Sequence, residues 1–415
     1  MSRPSRVQAR CVGNPSFRPE DIAKNQDRLK QARDLLSKND LHQASRMLLG
    51  LPEPDVYTYH AIASVKLAEA QHVVDRGGDN GLHGWYKAED GSTVRFCTNF
   101  TPPFLKHWPY THMDTEQNKK TRRRLTRNQR EPPSQADIEA YISIFSPTTS
   151  TAAALKNFTT NAKKGSLRSE TAAHISRNKF IHASLLTQLT IPKCKSPPIQ
   201  NPYFDFWAWS CRNLEWCGPN ACSERTSMGH HILPIFMHHF GCVTPSHEGL
   251  EALRILADGR PIADVGSGNG YWSFMLRGYG LTVHAVDNMQ SEWRVNWVDD
   301  TSITDGVKWL QRNNGGRDMV LLLVYPVVGG GVGGGSEGSF TRGLVGAYEG
   351  DTIAVVGTQN RNGYTGFKSM TMDEYMARER KDWVKVVQMP LPSFAGKDEA
   401  LFVFQRGERA PKADQ

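Results

Sequence analysis

The run Asp264-Val265-Gly266-Ser267-Gly268-Asn269-Gly270 holds the residue types in this chain best suited to ligand chemistry. Glycines at alternate positions let the backbone approach a ligand closely and adopt positive φ. The apolar Pro261-Ile262-Ala263 leads into the run, and Tyr271-Trp272-Ser273-Phe274-Met275-Leu276 follows as a candidate helix. A strand, a glycine turn and a helix start therefore fall within about twenty residues. The first turn of such a helix presents free N–H groups to an anionic group. The chemistry this pattern suits is the binding of a nucleotide-type ligand.

Which nucleotide depends on the spacing. A nicotinamide dinucleotide site is expected to read G-x-G-x-x-G, whereas the glycines here fall at 266, 268 and 270, with Asp264 two residues before the first. The next strand is expected over 281–286, closed by Asp287. This combination resembles motif I and the following acidic residue of class I S-adenosylmethionine-dependent methyltransferases. The resemblance covers roughly residues 244–407. It implies a doubly wound, Rossmann-like α/β fold with a seven-stranded sheet and S-adenosylmethionine as cofactor. The wider string from about residue 201 onward also resembles a group of uncharacterised fungal proteins.

The resemblance implies further site residues. Asp287, with Asn288 beside it, would hold the ribose hydroxyls, because a carboxylate accepts two hydrogen bonds from a vicinal diol. A third strand is expected over 294–298, ending at Asp299 and Asp300, one of which would meet the adenine amino group. Backbone N–H groups from Gly266 through Ser267, Gly268 and Asn269 to Gly270 would cradle the methionine part. Tyr271 or Trp272 would face the sulfonium through cation–π attraction, although Trp272 also fits a core position on the first helix. A fourth strand over 318–324, apolar enough to be buried on both faces, runs into Tyr325-Pro326, where such enzymes place substrate-facing residues. The Asn/Asp-Pro-Pro-aromatic signature of amino-group methyltransferases is absent, so the acceptor atom stays open. A fifth strand over 351–356, a helix over 370–380 and a final antiparallel pair over 383–389 and 400–405 complete the fold. The polar loop with Asn360, Arg361 and Tyr364 lies at the same sheet edge, where open α/β sheets bind ligands. Catalytic candidates are Tyr325, His247 and Glu248, the last two in a helix starting near Thr244-Pro245, with Thr244 as cap and Pro245 in the first turn.

Methyl transfer from a sulfonium is a direct displacement from an activated donor. The protein then mainly aligns the acceptor and excludes water, and a base is needed only where the acceptor must lose a proton. The glycine-rich run 329–335 follows Tyr325-Pro326 closely and reads either as a mobile lid or as a tolerant surface loop.

Residues 201–250 are dense in aromatics, cysteines and histidines. Zinc is one reading, but Cys211, Cys217 and Cys222 lack the paired C-x2-C spacing of structural sites, and no metal is expected. The others are a cap over the pocket and a core of buried aromatics, which are compatible. In the N-terminal half, helical spacing runs over 21–36, 41–49 and 56–74, with a break at Leu51-Pro52-Glu53-Pro54. The expected organisation is a tail to residue 20, a helical hairpin or bundle over 21–80, and an irregular, partly disordered basic region over 81–200. The cap then spans 201–250 and the methyltransferase domain 251–407, with a short tail after it.

Charge is uneven. Residues 251–415 hold 18 Lys+Arg against 20 Asp+Glu, while the first 250 hold 32 against 22. Any nucleic-acid affinity must come from the N-terminal half. Residues 119–130 carry seven Lys/Arg and no acid. They read as an RNA-contacting or nuclear-targeting patch, or as a solvated linker, which Pro132-Pro133 favours. No run has the length of a membrane span, and the seven cysteines form no evident disulfide framework. The expected setting is intracellular, cytoplasmic or nuclear. Arg3, Arg6, Arg10 and Arg18 precede the first acid, Glu20, which is the composition of a mitochondrial presequence, but Pro4 and Pro15 argue against that. A rival to the enzyme reading is a protein that keeps the fold as a binding or scaffold module.

Overall fold

The computed structural model describes residues 10–24, 26–60, 64–75, 133–225, 232–327 and 336–411. In chain order the strands are β1 (Arg10–Cys11), β2 (Thr58–His60), β3 (Ser64–Lys66), β4 (Phe180–Ile181), β5 (Ile262–Val265), β6 (Val283–Asp287), β7 (Glu292–Trp293), β8 (Ser302–Ile303), β9 (Val320–Val324), β10 (Thr352–Thr358), β11 (Val384–Pro390) and β12 (Glu399–Gln405). The large sheet has the order β4-β11-β12-β10-β9-β5-β6-β8. Strands β8, β6, β5, β9 and β10 run parallel, and β12 inserts antiparallel between β10 and β11. The expected seven-stranded, Rossmann-like sheet is present, with β4 added at its edge.

Alternation along the strands divides the core into two faces. Ile262, Leu322, Ala354, Val356, Leu401 and Val403 face one cluster, which includes Leu250 and Leu253 of the helix His247–Ala257 and Met275 and Leu276 of the helix Tyr271–Gly278. Ala263, Val265, Leu321, Leu323, Val355 and Phe404 face the other, with Trp309, Leu344 and Tyr375 from the helices Gly306–Arg312, Ser339–Ala347 and Met372–Glu379. Helices on both faces are what let β9 and β10 be apolar on both sides.

Several expectations are corrected. The third strand is β8, not 294–298. Arg-Val-Asn-Trp-Val has strand propensity, but its side chains are held by other parts of the chain: Arg294 pairs with Asp55, and the Trp297 indole donates to the His239 carbonyl. Tertiary contact overrides β propensity here. Similarly, residues 58–60 and 64–66 pair as the antiparallel strands β2 and β3 rather than continuing a helix, because Tyr59 buries its ring and bonds Asp55 and His239. The helices Gln26–Ser37, Leu41–Leu49 and Leu67–Asp75 flank it. Residues from 10 onward are not a tail: β1 pairs with β7, and Phe17 is buried edge-on against Trp297. Residues 133–178, expected as irregular, hold the helices Gln135–Ser143, Thr151–Thr160 and Leu167–Asn178. Serines there read as disorder in composition but act as caps, Ser134 in a capping box and Ser166 on the Ser169 N–H. The cap of the helix His247–Ala257 is Ser246, not Thr244.

The helices Pro202–Asn213 and Leu233–Phe240 carry the aromatic segment, and Tyr203, Phe206, Trp207, Phe236 and Phe240 are all buried. Each such side chain contributes about 1.5–3 kcal/mol on leaving water, enough to fix these helices over the sheet. Among the described residues, no helix is long and apolar enough to cross a membrane. The basic run 119–130 and the glycine run 329–335 lie outside the described residues.

Candidate cofactor and acceptor cleft

The glycine turn is built from positive-φ residues. Gly266, Gly268 and Gly270 have φ of +84°, +58° and +81°. The N–H groups of Gly266 and Ser267 both donate to the Val286 carbonyl, folding the turn over the end of β6. That places Asp287 beside it. One carboxylate oxygen of Asp287 accepts from the Gly268 N–H at 2.9 Å and the other from the Met289 N–H at 2.6 Å. Burial raises the pKa of Asp287, against these two backbone donors.

A cleft of about 290 Å³ opens above the turn. Its walls are the turn itself, the exit of β9 from Val324 to Val327, the end of the cap at Phe240 to Cys242, and Trp293. Several polar atoms at the cleft are buried and have no partner among the described residues: Asp264 Oδ1, Ser267 Oγ and Trp293 Nε1. An orphaned acceptor and two orphaned donors around one cavity are costly unless a polar ligand satisfies them. This set fits the methyl donor: a carboxylate for an ammonium, and hydroxyl and indole donors for a carboxylate or ring nitrogen.

Asp264 is fully buried, and its other oxygen accepts from the Ser273 hydroxyl at 2.7 Å. Burial pushes its pKa up to about 7, with the nearby Asp287 charge adding to the rise and Ser273 opposing it. A carboxylic acid whose pKa is raised on folding costs stability once the unfolded chain ionises, from about pH 4, and the cost levels off above about pH 7. Asp264→Asn does not titrate. Its stability advantage over the wild type should therefore be near zero at pH 4 and grow to a few kcal/mol by pH 8, at about 1.4 kcal/mol per unit. Urea midpoints for both proteins at pH 4, 6 and 8 measure this, and a pH-independent difference would contradict it.

The sequence candidates divide. Asp264, Gly266, Ser267, Gly268, Asn269 and Trp272 line the cleft, as do Asp287, Asn288, Tyr325 and Pro326. Asn269 is a strut as well, donating to the His239 carbonyl. Trp272 is buried and donates its indole N–H to the Val243 carbonyl, the core role. Gly270 shapes the turn from outside the lining, as the cap of the helix Tyr271–Gly278. Asp299 lines a separate cavity of about 520 Å³ formed with the N-terminal segment. Asp300 makes a two-pronged surface pair with Arg277. Neither follows a strand, since β8 starts after them. His247 bonds the Tyr279 hydroxyl at 2.8 Å and Glu248 pairs with Lys179, both outside the cleft lining. Arg361 is drawn to Glu374. Asn360 is buried with its amide toward the Lys397 carbonyl. Tyr364 packs its ring on Tyr325, centroids 4.9 Å apart.

Tyr325 is conformationally unusual. Its φ is +51°, held by its N–H on the Val356 carbonyl and by the Val327 N–H on its own carbonyl. A non-glycine residue there costs on the order of 1–3 kcal/mol. The result is a hydroxyl that donates to Glu399 Oε1 at 2.7 Å. Glu399 is buried, accepts the Phe394 N–H on its other oxygen, and has its pKa raised by burial. Lys397, also buried, is pushed down by burial and sits 3.7 Å over the Tyr364 ring. The Cys242 thiol is pushed up to about 12 by burial. Sequence reasoning missed Glu399, Lys397 and Trp293. Lys397-Asp398-Glu399 reads as an exposed charged turn, and only the fold shows that β12 begins inside the core.

Among the described residues, no three of His, Cys, Asp or Glu converge as metal ligands. His238 and His239 instead bond Tyr57 and Tyr59, and His230 and His231 lie outside the described residues.

No family model matches this chain, and no curated protein does. It is similar to solved structures that include the magnesium protoporphyrin IX methyltransferase of Synechocystis PCC 6803 with bound SAM. That likeness has 15% identity and a TM-score of 0.27, over 38% of this chain and 74% of that one. Others are an uncharacterized protein from Listeria monocytogenes serotype 4b (13% identity, TM-score 0.26, 40% and 70% of the two chains) and a protein in the NADB-Rossmann superfamily from Streptococcus agalactiae (14%, 0.23, 37% and 65%). The strand order and the cleft described above stand on this chain's own residues.

Proposed function

We propose that this protein is an S-adenosylmethionine-dependent methyltransferase. The observation that carries the reading is the cleft itself: three positive-φ glycines, the Asp287 carboxylate beside them, and orphaned polar atoms of Asp264, Ser267 and Trp293 around one cavity. The antiparallel insertion of β12 between β10 and β11 supports it over a nicotinamide site, whose usual sheet is parallel throughout.

Asp287 would hold the ribose diol with the acceptor capacity its two backbone partners leave free. Asp264 would take the ammonium of the methionine part and the Ser267 hydroxyl its carboxylate, because the N–H groups of Gly266, Ser267, Gly268 and Gly270 are already bonded within the turn and to the end of β6. When bound, the donor supplies a methyl group on an electron-poor sulfur. The chain's own work is to orient the acceptor at the exit of β9 and to exclude water, which the aromatic cap and Trp293 favour.

Titration calorimetry with S-adenosylmethionine tests this, with NADH as control. Micromolar binding of the methyl donor alone is expected, weakened at least 100-fold in Asp287→Ala. Binding of NADH instead would overturn the reading. Donor binding with no transfer to any acceptor would favour a binding or scaffold module that keeps the fold.

A further inference from the structure

We propose that Tyr325, backed by Glu399, takes the proton of a small phenolic hydroxyl bound in the cleft, so that the methyl acceptor is an aromatic hydroxyl. This rests on the methyl-donor reading above. Of the titratable side chains lining the cleft among the described residues, Asp264 and Asp287 sit at the glycine turn, and the Tyr271 hydroxyl is committed to Asn201 at 2.7 Å. Burial raises the Cys242 thiol and the Tyr325 hydroxyl alike, and what sets Tyr325 apart is the buried carboxylate that accepts from it. Tyr325 remains, at the exit of β9, with its hydroxyl already directed at a buried carboxylate.

A tyrosine locked at positive φ and bonded to a buried glutamate is more than an acceptor needs if it attacks as a neutral amine, which requires no base beforehand. It is matched to a hydroxyl that must lose its proton. Phenols ionise near pH 10, while alcohols lie close to water at about 15.7, roughly six units further from a carboxylate raised toward neutrality. Phe240, Met237 and Val327 give the cleft an apolar wall, and the Tyr364 ring packs tilted against Tyr325. In the step, the phenol oxygen bonds to the methyl carbon as the carbon–sulfur bond breaks and its electron pair returns to sulfur, leaving a neutral thioether. The phenol proton passes to Tyr325 Oη, whose own proton passes to Glu399 Oε1. Groups facing Glu399 are Lys397 on its own turn, Tyr325 after β9, Tyr364 after β10, Cys242 after the helix Leu233–Phe240 and Tyr203 on the helix Pro202–Asn213. Lys397 is the cation among them, and it balances the carboxylate before transfer.

The experiment uses the full chain with S-adenosylmethionine and three probes: phenol, benzyl alcohol and aniline. Phenol should be methylated at least 100-fold faster than either of the others. Tyr325→Phe should lose 100-fold or more in kcat with donor affinity unchanged within twofold, the range of a positioned acid–base group. The wild-type rate should fall on acidification through neutrality, as Glu399 protonates, and Glu399→Gln should abolish that limb. Independently of turnover, phenol should bind the complex with S-adenosylhomocysteine about fivefold more weakly in Tyr325→Phe, one hydrogen bond's worth, whereas toluene should bind both alike. Faster transfer to aniline or benzyl alcohol overturns the proposal. So does no transfer to any probe while the donor binds, a fully active Tyr325→Phe, or an acid limb that survives in Glu399→Gln. Failure of the wild type to bind the donor overturns the underlying reading instead.

Discussion

Asp55→Ala is expected to lower stability by about 3–5 kcal/mol, the cost of leaving a buried charge without its partner. Asp55 and Arg294 are each only 1% exposed at the side chain and meet at 2.8 Å. Arg294 also lies over the Tyr57 ring at 4.5 Å and donates to the Val12 carbonyl at 3.0 Å. Removing the carboxylate strands a guanidinium among aromatic rings and deprives the Tyr59 hydroxyl of one partner. Urea unfolding at constant slope measures the effect. The double replacement Asp55→Leu with Arg294→Met removes both charges and should cost less than the single one. A loss under about 1 kcal/mol in Asp55→Ala would mean that water reaches Arg294, and that the pair is less desolvated than its burial implies. Donor affinity should fall as well, because Arg294 directly follows Trp293, which walls the cleft.

Gly270→Ala is expected to cost at least 2 kcal/mol and to weaken donor binding. Two effects add. The residue sits at φ +81°, where an alanine is disfavoured by about 1–2 kcal/mol. A methyl group would also stand 2.3 Å from Val298 Cγ2, so the loop carrying Val298 or the turn itself must move. Gly280 separates the two terms: its φ is +82°, but nothing lies within 4 Å of an added methyl. Gly280→Ala should show the conformational cost alone and bind the donor normally. Equal losses in both variants, by thermal unfolding and calorimetry, would show that the contact with Val298 is not the constraint.

The C-terminal sheet was largely legible in the sequence because its strands carry their own signals. Val320 to Val324 is apolar on both faces, and the glycine turn and Asp287 are local patterns with local geometry. The failures share one cause. The spacing predicts a strand over 294–298, a helix through 56–66 and adenine contacts at Asp299–Asp300, and each outcome is decided by partners about 180 to 240 residues away or by a shift of the strand that was to end there. Arg294 goes to Asp55 and Tyr59 to His239, and neither pairing leaves a trace in spacing. Glu399 was missed for a related reason. A carboxylate next to Lys397 and Asp398 looks solvated until the sheet shows that β12 starts buried.

The pairing of β1 with β7 also bears on how this protein reaches its native state. The Cys11 thiol contacts the Arg294 carbonyl across 283 positions, Arg294 reaches the Val12 carbonyl across 282, and Asp55 across 239. Contacts of such separation pay the loop-closure entropy of most of the chain before they return anything, and topologies rich in them fold slowly. During synthesis, β1 has no strand to pair with until β7, at residues 292–293, has been made. The sheet can form its β5–β6–β9 centre from neighbouring sequence, whereas the wall of the cleft that contains Trp293 carries the larger loop-closure cost. Ligand binding, which depends on that wall, therefore reports closure of this long-range contact and not merely the presence of the sheet.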